Sequence, residues 1–222
     1  MTAAAPKAKT ASPLRAAIVP VTLFEQNCTL IWDEATKAGA VVDPGGDLDR
    51  IEAGIKQTGI AIEKILLTHG HIDHAGGADE LRERLKVKIE GPHQADIVLL
   101  EALEKQGKIY SISGCRNVTP DRWLEEGDTV LVAGHSFEIF HCPGHSPGSI
   151  VYFNRVQKFA LVGDVIFQGS IGRTDFPYGD HAALINAIKT KLFPLGDDVT
   201  FISGHGDPSQ IGIERRTNPF LV

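Results

Sequence analysis

Residues 65–77 read ILLTHGHIDHAGG. An apolar run ends at Thr68, and within the next six positions stand His69, His71, Asp73 and His74, followed at once by Gly76 and Gly77. One histidine in a soluble chain is usually a surface or satisfied core residue, but four lone-pair donors closing one apolar run have no packing role. The run reads as a buried strand, and a strand end is where a scaffold exposes functional groups on a loop. In an extended or irregular segment residues two apart can point the same way, so His69 and His71 can share one ion while Asp73 and His74 turn toward a second. Imidazole and carboxylate suit zinc, iron or manganese. One loop fills only part of two coordination shells, so the remaining ligands must come from elsewhere.

Three other strand ends supply candidates. HCPGHSPGS (141–149) puts His145 in a Pro/Gly loop after an apolar run, ALVGDVIF (160–167) ends a run at Gly163 and Asp164, and TFISGHGDP (200–208) ends one at His205. Around these points the chain alternates strand and helix signals. RAAIVPV, NCTLIWD and GAVVDPGGD (15–47) read as three strands, and DLDRIEAGIKQTG (47–59) as an amphipathic helix with Asp47 at its N-cap and Gly59 at its stop. A strand at 62–69, a helix at 78–85 and a strand at 87–91 complete the first half. Residues 93–110 read as one helix and 111–121 as a loop, with no chemistry assigned to either. Four closely spaced strands between 128 and 164, a helix over 181–193 and a last strand over 199–205 form the second half. Two halves, each a sheet covered by helices, predict an α+β, four-layer αββα sandwich of two facing mixed sheets.

Composition narrows the class. The 222 residues are 42% apolar, enough for a substantial core, and the net charge of −6 with no basic block disfavours a nucleic-acid partner. Cys28, Cys115 and Cys142 are odd in number and lack C-x-x-C spacing, so free thiols and a cytoplasmic setting are expected. The first residues, MTAAAPKAKTASPL, carry no apolar signal region, and no later run approaches the roughly 18 apolar residues of a membrane span. Residues 1–14 are expected to be disordered and 15–222 to form a single domain.

The THGHIDH stretch, PGHSPG, the Gly-Asp of VGDVIF and the closing SGHGD together resemble the metallo-β-lactamase superfamily, from about residue 15 onward. Within it, GSIGRTDFPYGD and the terminal ERRTNPFL are most similar to short bacterial glyoxalase II-type (hydroxyacylglutathione hydrolase-like) proteins. The resemblance implies that His69, His71 and His145 hold one divalent metal, that Asp73, His74 and His205 hold a second, and that Asp164 bridges them. Zinc is the first expectation, with iron or manganese as alternatives. A hydroxide generated from water at two such metals would attack a thioester carbonyl, with Asp73 orienting it and shuttling its proton. The substrate implied is a small-molecule glutathione thioester, S-lactoylglutathione, giving lactate and glutathione. Long glyoxalase II proteins add a C-terminal helical domain that grips glutathione, whereas only residues 206–222 follow His205 here. Arg173 could take over part of that grip, a guanidinium matching a carboxylate as a fork; a surface pair with Asp175 is its rival role. Weaker or broader thioesterase activity than in the long form follows.

Other readings remain at this stage. GRTDF also occurs in a persulfide dioxygenase-like branch, where one iron on two histidines and an aspartate activates oxygen. A nuclease of the same superfamily is disfavoured by the acidity of the chain. A non-catalytic metal-binding protein would show closed coordination, where a hydrolase needs an open position. Among the remaining residues, Cys142 reads as a small apolar filler and His141 as either a partner of a ligand or a surface residue. His93, His135 and His181 read as loop, turn and helix-start residues. Asp43 either supports the metal loop or belongs to an ordinary Asp-Pro-Gly-Gly turn.

Overall fold

In the computed structural model, which describes residues 12–222, the apolar runs become strands, and those at 26–33, 38–42 and 150–154 are largely buried on both faces. Neighbouring side chains on a strand point to opposite sides, so each run feeds two layers at once. Leu30, Val41 and Ile65 pack under the helices of the first half, while Ile31, Ala40, Val42 and Leu66 face the other sheet. The second half mirrors this: Val151 and Phe153 pack under its helices, and Tyr152 between them on the strand faces inward.

The first half comprises β1 (Leu14–Val21), β2 (Gln26–Asp33), β3 (Ala38–Val42), α1 (Leu48–Thr58), β4 (Ala61–Leu66), α2 (Ile72–Ala75), α3 (Ala78–Leu85), β5 (Lys88–Glu90), α4 (Ile97–Leu100) and α5 (Leu103–Tyr110). The second comprises β6 (Thr129–Val132), β7 (His135–His141), β8 (Ile150–Asn154), β9 (Phe159–Leu161), β10 (Ile166–Phe167), β11 (Ser170–Ile171), α6 (His181–Ala187), β12 (Thr200–Ile202), β13 (Ser209–Gln210) and α7 (Ile211–Thr217). One sheet is ordered β1-β2-β3-β4-β5 and the other β13-β12-β9-β8-β7-β6. Both are mixed: β3, β4 and β5 run parallel, as do β9 and β12, and the other pairs are antiparallel. The expected αββα sandwich is therefore what the chain forms.

Parallel neighbours end on the same side of a sheet, so the C-terminal ends of β3 and β4 share a rim, and so do those of β9 and β12. Backbone hydrogen bonds join these rims across the sandwich. Asn27 N–H donates to Gly204 O at 2.7 Å and Ile150 N–H to Thr68 O at 2.9 Å, while within the second sheet's own rim Gly204 N–H donates to Gly163 O at 2.9 Å. At the far end of β2, buried Asp33 accepts a hydrogen bond from His135 Nε2 at 2.9 Å, a polar tie between the sheets. That assigns His135, read from sequence as a turn residue.

Several local expectations change in detail. Asp47 does precede α1, but in a left-handed conformation its carboxylate accepts from Thr22 N–H instead of capping the helix. Gly59, also left-handed, closes that helix as expected. The single helix expected over 93–110 is broken into a 3-10 turn (94–96), α4 and α5. No described helix is long and apolar enough to cross a membrane. The expected disorder of 1–14 falls mostly on residues 1–11, which lie outside the described residues; β1 starts at Leu14.

Candidate metal centre

All seven residues singled out as ligands meet at the shared rim, in two sets. His69, His71 and His145 place ligand atoms within 4.8 Å of one another, and so do Asp73, His74 and His205. His69 and His71 leave β4 in extended backbone, whereas Asp73 and His74 lie on the short helix α2, which turns them away. His69 Nε2 and His71 Nδ1 converge to 3.0 Å. The Asp164 carboxylate, delivered just after β9, lies between the sets. Its Oδ1 is 3.4 Å from His74 Nε2, and its Oδ2 is 3.4 Å from His145 Nε2 and 3.7 Å from His205 Nε2. Asp73 Oδ2 is 3.2 Å from His205 Nε2.

The far nitrogen of every imidazole is occupied, and this fixes which nitrogen faces inward. His74 Nδ1–H donates to Asp43 Oδ2 at 2.9 Å. Thr68 Oγ1 donates to the same oxygen at 2.6 Å, which leaves it to accept from His69 Nδ1–H at 3.1 Å. His145 Nδ1–H donates to Arg173 O at 2.9 Å and His205 Nδ1–H to Phe24 O at 3.1 Å. For His71 the roles reverse, Nε2–H donating to Tyr178 Oη at 2.7 Å. Asp43 thus supports two ligands, one directly and one through Thr68. Its proximity to His69 and His74 reflects this and not a third ion site, because His74 turns to it the nitrogen remote from Asp164.

Three of the inward atoms lack a hydrogen-bond partner within the protein, whereas His69 Nε2 and His71 Nδ1 face one another and His205 Nε2 faces Asp73. Among the described residues, His74 Nε2, His145 Nε2 and Asp164 Oδ1 are buried side-chain atoms with no hydrogen bond. A buried lone pair left unmatched is costly, and a cation shared by these atoms removes that cost, so the donor set fits divalent metal. Space is equally restricted: a Cβ at Gly204 would lie 2.1 Å from Asp164 Oδ1 and 2.4 Å from His74 Cε1. One at Gly45, in the Asp43-Pro-Gly-Gly turn, would lie 1.5 Å from Asp73 O.

Burial, reinforced by the neighbouring His74, holds His69 well below the ordinary histidine range. Burial and His145 likewise bring His71 down to about 3, so both stay neutral, as metal ligands must. Burial opposes a charge on His74 too, but the Asp164 and Asp73 carboxylates outweigh it and raise its pKa. For His205 burial is outweighed in the same way, chiefly by Asp73. Burial opposes ionisation of Asp164 and Asp73, yet the adjacent histidines, His74 foremost, hold both carboxyls low.

Beyond the seven, Arg173 is exposed: its guanidinium forks onto Asp175 with two 2.7 Å hydrogen bonds and stacks 4.5 Å from the Phe176 ring centroid. Phe176 in turn stacks on Tyr178 and lies against His71. His141 donates from Nε2 to Pro147 O at 2.8 Å, supporting the His145 loop, and stacks on His93. Cys142 is fully buried and burial pushes its thiol up to about 12, which removes it as a nucleophile. None of the three cysteines is paired. Tyr178 and Asp96 were not singled out from sequence; Tyr178 acts through one hydrogen bond to His71 and Asp96 through bonds to Gly70, Ser146 and Gly148, contacts that no residue spacing announces.

Residues 21–205 match the metallo-beta-lactamase superfamily. A hydroxyacylglutathione hydrolase, GloC, of Haemophilus influenzae is 46% identical over 205 residues, spanning 92% of this chain and 96% of its own length. Among solved structures, the BLEG-1 B3 metallo-beta-lactamase superposes with a TM-score of 0.85 at 32% identity, covering 93% of this chain and 99% of that one. TTHA1623, crystallised in a di-iron-bound form, gives 0.83 at 33% identity, covering 92% and 100%. From the strand ends inward, the arrangement agrees with the sequence match: this chain belongs to the metallo-beta-lactamase superfamily.

Proposed function

We propose that this chain is a metal-dependent hydrolase of glutathione thioesters, with S-lactoylglutathione the substrate and lactate and glutathione the products. What carries the reading is the set of unmatched lone pairs on either side of Asp164, which would suit two ions sharing one carboxylate. The name and near-complete coverage of the Haemophilus influenzae relative supply the substrate class. In this reading His69, His71 and His145 would hold one ion and Asp73, His74 and His205 the other, with the Asp164 carboxylate available to both. Zinc is the metal assigned, and iron suits the same donors, as the di-iron form of TTHA1623 illustrates. Bound there, divalent ions supply Lewis acidity for the thioester carbonyl and bring the pKa of a water down toward about 7.

The residues themselves do the rest. Asp73, kept ionised by its histidine neighbours, would accept a hydrogen bond from the attacking water and take its proton. Asp164 and Asp43 hold the imidazoles in the orientation and tautomer the site needs. The departing thiolate is a weak base and leaves without a general acid. Arg173 trades its exposed partner Asp175 for a carboxylate of glutathione, an exchange that costs little because water already screens so exposed an ion pair. Abundant glutathione and unpaired cysteines both fit a cytoplasmic setting.

The test is turnover of S-lactoylglutathione and other thioesters by zinc-loaded and chelator-stripped protein. Activity should vanish on stripping and return with zinc, and Arg173→Ala should raise KM for the glutathione thioester roughly tenfold with kcat little changed, the loss of one charge-assisted contact. Oxygen uptake with glutathione persulfide and no thioester turnover would replace this reading with an oxygenase.

A further inference from the structure

The segment following β5 contains a buried carboxylate that reaches the metal centre from behind. Asp96 ends the 3-10 turn of residues 94–96 and is fully buried. Its Oδ2 accepts from Gly70 N–H at 2.8 Å and from Ser146 Oγ at 2.7 Å, and its Oδ1 accepts from Gly148 N–H at 2.5 Å. Gly70 separates His69 from His71, and Ser146 follows His145. One carboxylate therefore spans the two loops that carry the His69–His71–His145 set. It makes no hydrogen bond to Asp73, His74 or His205, whose support comes from Asp43 and the Phe24 carbonyl.

The contact is close on both sides. A Cβ at Gly148 would lie 2.6 Å from Asp96 Cγ, and one at Gly70 would lie 3.2 Å from Asp96 Cβ and 2.9 Å from Leu99 Cβ. The backbone adds a parallel tie, His93 N–H donating to Gly148 O at 3.2 Å. Burying a carboxylate is costly unless its oxygens are matched, and three charge-assisted bonds match this one. All three end on the loops bearing the first ligand set.

We propose that Asp96 is the positioning residue of the His69–His71–His145 set, fixing the separation of its two loops and hence that set's affinity for metal, independently of the Asp73–His74–His205 set. The assignment rests on the two-metal reading of the site. Asp96→Asn keeps the side-chain volume but turns one acceptor into an NH2 group that faces a donor. Zinc stoichiometry and affinity, measured by competition with a chromophoric chelator, give a readout separate from turnover.

Wild type should bind two equivalents. Asp96→Asn should hold one with nearly unchanged affinity and the other roughly 10–100-fold more weakly, the usual effect of losing a residue that orients a ligand. Adding His205→Ala in that background should remove the tightly held equivalent, whereas adding His71→Ala should leave it. Ser146→Ala, which deletes one bond of the three, should weaken the same set by a smaller factor and serves if the asparagine variant does not fold. Two equivalents at wild-type affinity in a folded variant, or equal weakening of both, would overturn the assignment while leaving the two-metal reading standing. A wild-type chain holding fewer than two ions would overturn both.

Discussion

At the scale of single residues, protons and metal ions compete for the same lone pairs, and they do so unequally across the site. His69 and His71 have depressed pKa values through burial and neighbouring histidines, whereas His74 and His205 are raised by Asp164 and Asp73. A raised pKa means that the proton begins to displace metal at a higher pH, so acidification should empty the Asp73–His74–His205 set first. Zinc content followed from pH 8 downward should fall in two steps, and the earlier one should be missing in His205→Ala. Simultaneous loss of both ions, or survival of the early step in that variant, would show that the carboxylates do not control the order. The seven residues that meet at the shared rim were legible as candidate ligands in sequence because histidine and aspartate crowd at the ends of apolar runs. Asp96 and Tyr178 were not, because a carboxylate that binds backbone N–H groups and a phenol that holds one imidazole look like any loop residue.

At the scale of elements, short apolar runs bounded by turn residues made most strands legible, and the breaks in pattern mark where tertiary packing decided the outcome. The 93–110 segment reads as helical in sequence, yet Asp96 is turned inward to the ligand loops and the helix restarts as α4 and α5. The two-residue strands β10, β11 and β13 are too short to show any period. Where β12 leads into the His205 loop, Gly204 admits no side chain. Gly204→Ala should leave the sheets folded but push Asp164 and His74 apart, reducing metal occupancy and lowering turnover roughly 100-fold, the scale of a misplacement near 1 Å. Circular dichroism with metal analysis separates the two effects, and full occupancy in the variant would contradict the crowding described here.

At the scale of the molecule, three apolar layers hold two sheets and their helices in register, and the middle one carries the ligand rims. Phe137 is fully buried in that layer with Tyr152, Ile139 and Leu66. Phe137→Ala should cost about 3–5 kcal/mol in denaturant unfolding while the folded fraction still binds two ions, since no ligand touches the cavity. A cost below about 1 kcal/mol would show that the layer relaxes around the gap. The layered architecture was readable from two similar halves of strand and helix signals, but their facing arrangement is fixed by inter-sheet ties such as the Thr68–Ile150 and Asn27–Gly204 backbone bonds and the Asp33–His135 pair, partners that no local sequence pattern matches to one another.

The supports of His145 and His205 differ in kind from that of His74. They are main-chain carbonyls of Arg173 and Phe24, whose own side chains point into solvent beside the site. A carbonyl persists whatever side chain its residue carries. Positions 24 and 173 can therefore be exchanged by mutation while the imidazoles stay seated, so over evolutionary time this scaffold is free to drift in what it recognises without first giving up its chemistry.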